Sequence, residues 1–209
     1  MKSVLVTGGT TRLGKAIADF LRSAGWRVLT TSHRADAAAY ILADFSTPLG
    51  PARAYAEALR LLGGNPPDAL VNNAALFTGD AATLEAVNFT APQKLTILMA
   101  GRETGRGSVV NILDSRVLGW GQTPYEKTKL RLLEETRRFA QLFAATLRVN
   151  AVAPGPVLAP VGVHVLAGET LVGRPTPEDV ARAVAYLLDA KATTGAILPV
   201  DGGQHLCEV

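Results

Sequence analysis

Ser3-Val-Leu-Val-Thr7-Gly8-Gly9-Thr10-Thr11-Arg12-Leu13-Gly14 is the stretch that decides how this chain folds. Its first half is apolar and β-branched, the composition of a strand buried on both faces, and it runs straight into glycines. Past Gly14, Ala16, Ile17, Phe20 and Leu21 recur at helical spacing. A strand, a glycine turn and a helix start in this order make a site for a dinucleotide pyrophosphate. Gly8 and Gly9 permit a tight turn and close backbone approach, Gly14 lets the helix pack on the sheet, and the helix N-terminus faces the anion.

The same alternation continues outward from that unit. Strand-like runs fall at Ser3 to Thr7, Arg27 to Thr31, Tyr40 to Ala43, Ala69 to Asn72, Ser108 to Leu113, Thr146 to Ala151 and Ala196 to Val200. Between them lie helical patterns at Arg12 to Ala24, Pro51 to Leu62, Asn88 to Ala100, Thr123 to Ala144 and Pro177 to Asp189, the last opened by the start signal Thr176-Pro177-Glu178-Asp179. Such alternation predicts an α/β fold: one doubly wound parallel sheet of the Rossmann type, with right-handed crossovers placing helices on both faces. Ligands of these sheets sit at the carboxyl ends of the strands, where Gly8, Asp44, Asn72, Asp114 and Pro154 all fall.

The chain has 209 residues, 48% of them hydrophobic and 19% charged, which fits a single domain over residues 1–209 with a substantial core. No apolar stretch approaches the roughly 18 residues of a membrane span, and Val4 to Val6 lead into the turn without a cleavage pattern, so a cytosolic setting is expected. One cysteine, Cys207, allows no internal disulfide, and no Cys/His spacing matches a metal site, so no metal is expected. A formal charge of +3, carried by dispersed basic residues, gives no footprint for nucleic acid. Trp26 is expected to pack, and Trp120 falls in a loop near the candidate chemistry.

That chemistry is carried by Tyr125-x-x-x-Lys129 with Asp114 upstream. Four positions apart on a helix, the phenol and the ammonium share a face. A nearby ammonium is expected to lower the phenol pKa from about 10 toward the working pH, as general acid/base catalysis requires.

Taken in order, these motifs resemble the short-chain dehydrogenase/reductase family over essentially the whole chain. Thr7-Gly8-x-x-x-Arg12-x-Gly14 resembles its glycine turn with the middle glycine replaced, and Asn72-Asn73-Ala74-Ala75 resembles its Asn-Asn-Ala-Gly segment. Asn88 matches the helix asparagine that organises a proton-relay water, and Tyr125 and Lys129 match the catalytic pair. Asp44 resembles the aspartate that touches adenine. Asn150-Ala-Val-Ala-Pro-Gly155, Thr194-Gly195 and Val200-Asp-Gly-Gly203 resemble the later strand ends. The resemblance implies a catalytic set of Asn88, Asp114, Tyr125 and Lys129. It also implies a cofactor lying against Gly8, Thr10, Arg12, Leu13, Ser32, His33, Arg34, Asp44, Phe45, Asn73, Ala74, Ala75, Tyr125, Lys129, Pro154, Gly155 and Val157. Homodimers or homotetramers are implied as well, and the apolar stripe from Tyr125 through Leu132, Leu133, Thr136, Phe139 and Phe143 exceeds what one sheet face needs.

Enzymes that select the unphosphorylated cofactor carry an acid at the end of the second strand to hold the ribose 2′-hydroxyl. Here Thr30-Thr31-Ser32-His33-Arg34 stands there, with no acid before Asp36. Arg34 can meet a 2′-phosphate and Arg12 adds a second cation, so NADP(H) is expected. Most family members have serine where this chain has Asp114. An aspartate there, an arginine in the glycine turn and an aromatic just past Asn-Asn-Ala-Ala together resemble the pteridine reductases, including dihydromonapterin and alternative dihydrofolate reductases. The corresponding substrate residues are Arg12, Phe77, Asp114 and Tyr125. A pterin or folate-like ring can stack on Phe77 while Asp114, its pKa raised by burial, and Tyr125 serve a ring nitrogen. Two alternatives stay open: a reductase of ketones or 3-oxoacyl thioesters, and a non-catalytic NADPH sensor that would not need the Tyr125–Lys129 pair.

Overall fold

The computed structural model of the protein describes residues 1–35, 41–103, 105–118, 123–158 and 170–207. Seven strands form one sheet: β1 (Ser3–Val6), β2 (Arg27–Ser32), β3 (Ile41–Leu42), β4 (Ala69–Asn72), β5 (Gly107–Ile112), β6 (Leu147–Pro154) and β7 (Ile197–Val200). Their order is β3-β2-β1-β4-β5-β6-β7, and every neighbouring pair is parallel. Among the described residues six α-helices accompany the sheet: α1 (Arg12–Ser23), α2 (Gly50–Leu61), α3 (Ala81–Glu85), α4 (Ala91–Ala100), α5 (Pro124–Leu142) and α6 (Pro177–Asp189). The order reverses between β1 and β4, which opens a crevice at the carboxyl edge.

Alternation along the strands builds a core on each face. Leu5, Leu29, Leu70, Val109 and Val149 face α2, α4 and α5. Val4, Val6, Val71, Val110 and Val152 face α1 and α6. Trp26 packs into this second layer. The helix start read at Thr176 is a complete capping box, in which the Thr176 hydroxyl accepts from the Asp179 backbone N–H and the Asp179 carboxylate accepts from the Thr176 backbone N–H. Tyr40, Asp36 and Trp120 lie outside the described residues.

Two element boundaries differ from the sequence expectation by three residues or more. β6 runs on to Pro154 because β7 keeps pairing with it to the register Pro154↔Val200. The helical stretch expected from Asn88 begins earlier, at Ala81, where Asp80 accepts from Thr83 N at 2.9 Å. Before α4 it widens into a π-helical turn, Ala86–Thr90. Pro92 explains the widening: it has no N–H to return to the carbonyl four residues earlier, so the regular ladder breaks there.

The apolar stripe of α5 also needs correction. Tyr125, Leu132, Leu133, Thr136 and Phe139 are all buried within the chain itself, against β5, β6 and α4, so the stripe is not surplus to one sheet face. Exposed apolar side chains on this side are instead Ile97 and Leu98 of α4 and Leu130 and Leu142 of α5.

Arg148 closes the far end of the sheet. Its guanidinium donates to the carbonyls of Leu187 (2.8 Å), Leu188 (2.6 Å) and Ala190 (2.8 Å), the acceptors that the end of α6 leaves without amide partners. An Arg148→Met variant keeps the aliphatic stem but takes the guanidinium donors away from these buried and part-buried carbonyls. It is expected to lose about 3 kcal/mol, or roughly 6–12 °C of Tm by thermal denaturation; an unchanged Tm would show that solvent replaces the guanidinium without loss.

Candidate active site

The carboxyl ends of β1 and β4 are tied together before any ligand arrives. Thr7 Oγ1 accepts the backbone N–H groups of Asn73 (2.9 Å) and Ala74 (3.0 Å) and donates to Val71 O (3.3 Å). Asn73 Nδ2 donates back to the carbonyls of Thr7 (2.9 Å) and Gly8 (3.3 Å). Gly8 itself sits at φ +61°, and its N–H donates to Thr31 Oγ1 at 3.1 Å, a tie to β2 that the sequence reading did not single out. A Cβ on Gly14 would stand 2.2 Å from Gly8 O, so α1 can approach the turn this closely only with glycine there. Arg12, where the family's middle glycine would stand, keeps that glycine's backbone: its φ is +49°. Thr11 makes no side-chain cap on α1, and the first turn carries no acid, whereas α3, α5 and α6 are all capped by side chains. The start of α1 thus faces the glycine turn with no side-chain cap and no acid in its first turn, and the cradle fits a dinucleotide pyrophosphate.

Around the cradle the other expected cofactor residues gather at the same edge. Thr10 and Leu13 belong to the turn and the first residues of α1. Ser32 is buried and accepts the Arg34 N–H at 3.0 Å, leaving His33 and Arg34 exposed just beyond β2. Asp44 accepts from Ser46 Oγ (2.6 Å) and Ser46 N (2.9 Å), bonds that hold its carboxyl below the usual range, with His33 adding a smaller pull. The ring of Phe45 lies in the core. Ala75 follows the Thr7-bound segment. Beyond β6, Gly155 N donates to Val200 O at 3.0 Å, a Cβ there would meet Asp201 at 2.6 Å, and Val157 N turns back to Gly155 O at 2.8 Å.

The chemical groups lie between β5 and α5. Tyr125 is 6% exposed, and its hydroxyl donates to Asp114 Oδ2 at 3.2 Å. Lys129, 2% exposed, donates to Ile112 O at 2.8 Å and holds its ammonium 5.9 Å from the Tyr125 ring centre. Burial pushes the Lys129 pKa down to about 8 against the opposing pull of Asp114. The expected lowering of the phenol pKa is not found: burial first, then the Asp114 charge, push Tyr125 well above its ordinary value, and Arg116 only partly offsets them. Sequence reasoning missed Arg116, which sits on a 3₁₀ turn (Ser115–Leu118) between β5 and α5. Its Nε and Nη2 meet Asp114 Oδ1 (3.0 Å) and Oδ2 (2.9 Å), so the carboxylate is paired on both oxygens. Its Nη1 also reaches Glu126 Oε1 at 3.2 Å. The available signal was an arginine two positions after the acid.

Phe77 is 65% exposed and sets its ring centre 4.9 Å from that of Tyr125, tilted by 32°, so one face of the phenol is walled by an aromatic open to ligand. Asn88 lies in the π-helical turn with its side chain fully engaged: Oδ1 accepts from Leu76 N and Nδ2 donates to Leu76 O, both at 2.8 Å. These two bonds anchor the segment that carries Phe77. The Asn88 carbonyl lies four residues before Pro92, which has no N–H to give it. Among the described residues no cluster of three or more His, Cys, Asp or Glu could hold a metal ion, and no helix is long and apolar enough to cross a membrane.

A family model described as Enoyl-(Acyl carrier protein) reductase matches residues 10–205. The chain is 32% identical to Protein FixR of Bradyrhizobium diazoefficiens, across 98% of this chain and 87% of that protein. It is 30% identical to the 3-oxoacyl-(acyl-carrier-protein) reductase FabG of Aquifex aeolicus, across 97% and 96% of the two chains. FolM Alternative dihydrofolate reductase 1 from Brucella canis, solved in complex with NADP, superposes with a TM-score of 0.80 at 30% identity, covering 99% of this chain and 95% of that one. The likeness in sequence and in structure thus spans both the glycine cradle and the Tyr125–Lys129 pair, and the chain belongs to the short-chain dehydrogenase/reductase family as an NAD(P)-dependent oxidoreductase.

Proposed function

We propose that this protein is an NADPH-dependent reductase of a C=N bond in a pterin or folate-like ring. The observation that carries the reading is the pairing of Asp114 with Tyr125 beside the open aromatic wall of Phe77. A flat heteroaromatic ring can stack on Phe77, and a carboxylate at the phenol can accept N–H groups that a simple ketone lacks. The likeness to the Brucella canis FolM reductase supports the same substrate class.

When bound, the cofactor supplies the hydride that reduces the ring carbon. The Gly8–Gly14 turn would hold its pyrophosphate, Arg34 and His33 would face its adenosine ribose, and Lys129 with Tyr125 would lie along its reactive end. Tyr125 Oη holds the proton destined for the ring nitrogen, and the Asn88 carbonyl offers an acceptor for a relay water. Arg12, on the turn, would face phosphate or ring oxygens.

A second reading, reduction of ketones or 3-oxoacyl thioesters, is favoured by the likeness to FabG of Aquifex aeolicus. Asp114 weighs against it, because a carboxylate beside a developing alkoxide opposes the negative charge that the site must stabilise.

Three outcomes test these assignments. Since the end of β2 offers Arg34 and no acid among the described residues, kcat/KM for NADPH should exceed that for NADH by more than about tenfold, and Arg34→Asp should erase the difference. Equal use of the two cofactors by the wild type would remove the assignment. Tyr125→Phe should cut turnover by about two to four orders of magnitude while NADPH affinity, measured by fluorescence titration, hardly moves. If affinity falls with turnover, Tyr125 is a structural residue.

The substrate class is read from NADPH oxidation with a dihydropterin, dihydrofolate, a ketone and a 3-oxoacyl thioester. Dihydropterin should be reduced fastest. Phe77→Ala should raise its KM, and Asp114→Ser should lower its turnover while leaving cofactor binding unchanged. Ketone or thioester reduction without any pterin activity would replace the first reading with the second.

A further inference from the structure

We infer that Arg116 is the positioning residue for proton transfer: its guanidinium fork holds Asp114 as the hydrogen-bond acceptor of Tyr125, so that the phenol delivers the proton and the carboxyl does not. The inference rests on the reading of the Tyr125 site as reductive, and it concerns which of its two acidic groups acts.

The geometry around Asp114 leaves little room for a proton on the carboxyl. Oδ1 faces Arg116 N and Arg116 Nε, both at 3.0 Å, while Oδ2 faces Arg116 Nη2 at 2.9 Å and the Tyr125 hydroxyl at 3.2 Å. All four neighbours are donors, and an ionised carboxylate satisfies them because it only accepts. A proton on either oxygen would point a hydrogen at a guanidinium or amide hydrogen, or take the place of the bond from Tyr125. Tyr125, in contrast, has its hydroxyl hydrogen directed at Oδ2 and needs only a better acceptor, a substrate nitrogen, to release it.

Arg116 is placed to impose this arrangement. Its third nitrogen reaches Glu126 Oε1 at 3.2 Å, so one guanidinium spans the loop that carries Asp114 and the first turn of α5 that carries Tyr125. Its carbon lies 5.6 Å from the centre of the Tyr125 ring. Glu126 is itself fixed by the capping box with Thr123, and Ser115 Oγ donates to Gln204 Oε1 at 3.3 Å, which steadies the 3₁₀ turn from its other side. The charged groups facing the phenol are therefore Asp114 and Glu126 against Arg116 and Lys129. Burial and the adjacent Asp114 charge, only partly offset by Arg116, keep it neutral and protonated, as a donor must be.

The step balances on this arrangement. NADPH loses a hydride and is oxidised, the carbon of the substrate C=N bond gains that hydride, and the π-electron pair on nitrogen takes the proton from Tyr125 Oη. The phenolate left behind regains its proton from solvent, and Asp114 and Arg116 change neither charge nor protonation.

A double-mutant cycle tests the inference, using purified full-length chain, NADPH, and whichever of dihydropterin, dihydrofolate or 3-oxoacyl thioester the wild type reduces fastest. Arg116→Leu should lower kcat by about 10- to 100-fold, the span of coupling within one hydrogen-bond network, with KM for NADPH held within about twofold. Asp114→Asn keeps an acceptor for the phenol, so measurable turnover should persist. In that neutral background Arg116→Leu should change kcat by less than about threefold, since no carboxylate remains to be held. Millimolar guanidinium should restore part of the Arg116→Leu activity, and Arg116→Lys, which keeps the charge but loses the fork, should fall between Leu and wild type. Equal loss from Arg116→Leu in both backgrounds, or full activity in the single variant, overturns the inference. So does complete inactivity of Asp114→Asn with unchanged cofactor affinity, which would make the carboxyl the donor. Should Arg116→Leu fail to fold, the Lys variant in both backgrounds carries the cycle. Failure of the underlying reading is distinct: Tyr125→Phe would then keep its turnover whatever stands at position 116.

Discussion

Backbone groups at the end of a strand have no ladder partner, and in this protein the Thr7 hydroxyl supplies it. One oxygen accepts two amides beyond β4 and returns its proton to a β4 carbonyl, which joins the neighbouring strands β1 and β4 just where the sheet's order reverses. Asn73 closes the loop from the other side through the Thr7 and Gly8 carbonyls. The glycine turn is therefore rigid before a cofactor reaches it. Its rigidity is what lets Arg12 stand at a left-handed φ that a side chain rarely adopts. A cation is thus presented at the phosphate cradle on a backbone shaped for glycine.

At the other end of the crevice the constraint is electrostatic. Burial of Tyr125 and Lys129 disfavours charge on both groups, raising the phenol's pKa and lowering the ammonium's. Asp114 raises both, adding to the effect of burial at the phenol and opposing it at Lys129. Arg116 and Glu126 complete the balance from the 3₁₀ turn at Ser115–Leu118 and the first turn of α5. Phe77 stays open beside this group because the Asn88 side chain pins the segment ahead of it at Leu76. The helix irregularity at Ala86–Thr90 and the aromatic wall are thus consequences of one anchored asparagine and one proline.

Much of this was legible in the chain because it depends on local pattern. The apolar β-branched run into Gly8, the alternation of strand and helix periods, and the Thr176 start signal each specify their element through nearest neighbours along the sequence. The cradle and the Tyr125–Lys129 pair were legible for the same reason, since a turn and a helix face fix the spacing of their residues. The early start of the helical stretch at Ala81 was signalled by Asp80 but obscured by the π-helical turn, whose cause, Pro92, lies downstream of the residues it distorts. The α5 stripe was misjudged because periodicity reports that a face is apolar and not how much neighbouring structure covers it.

The sequence by itself determined the order of elements, the place of the glycine cradle and the helical pairing of Tyr125 with Lys129, all of which follow from short-range geometry. Only the tertiary structure decided the charge environment of the phenol. Burial is set by packing among β5, α5 and the turn at Ser115–Leu118, and the partners Asp114, Arg116 and Glu126 meet only when that loop folds back onto α5. A pKa depends on distances through space and on exclusion of water, and neither is written in the spacing of residues along the chain.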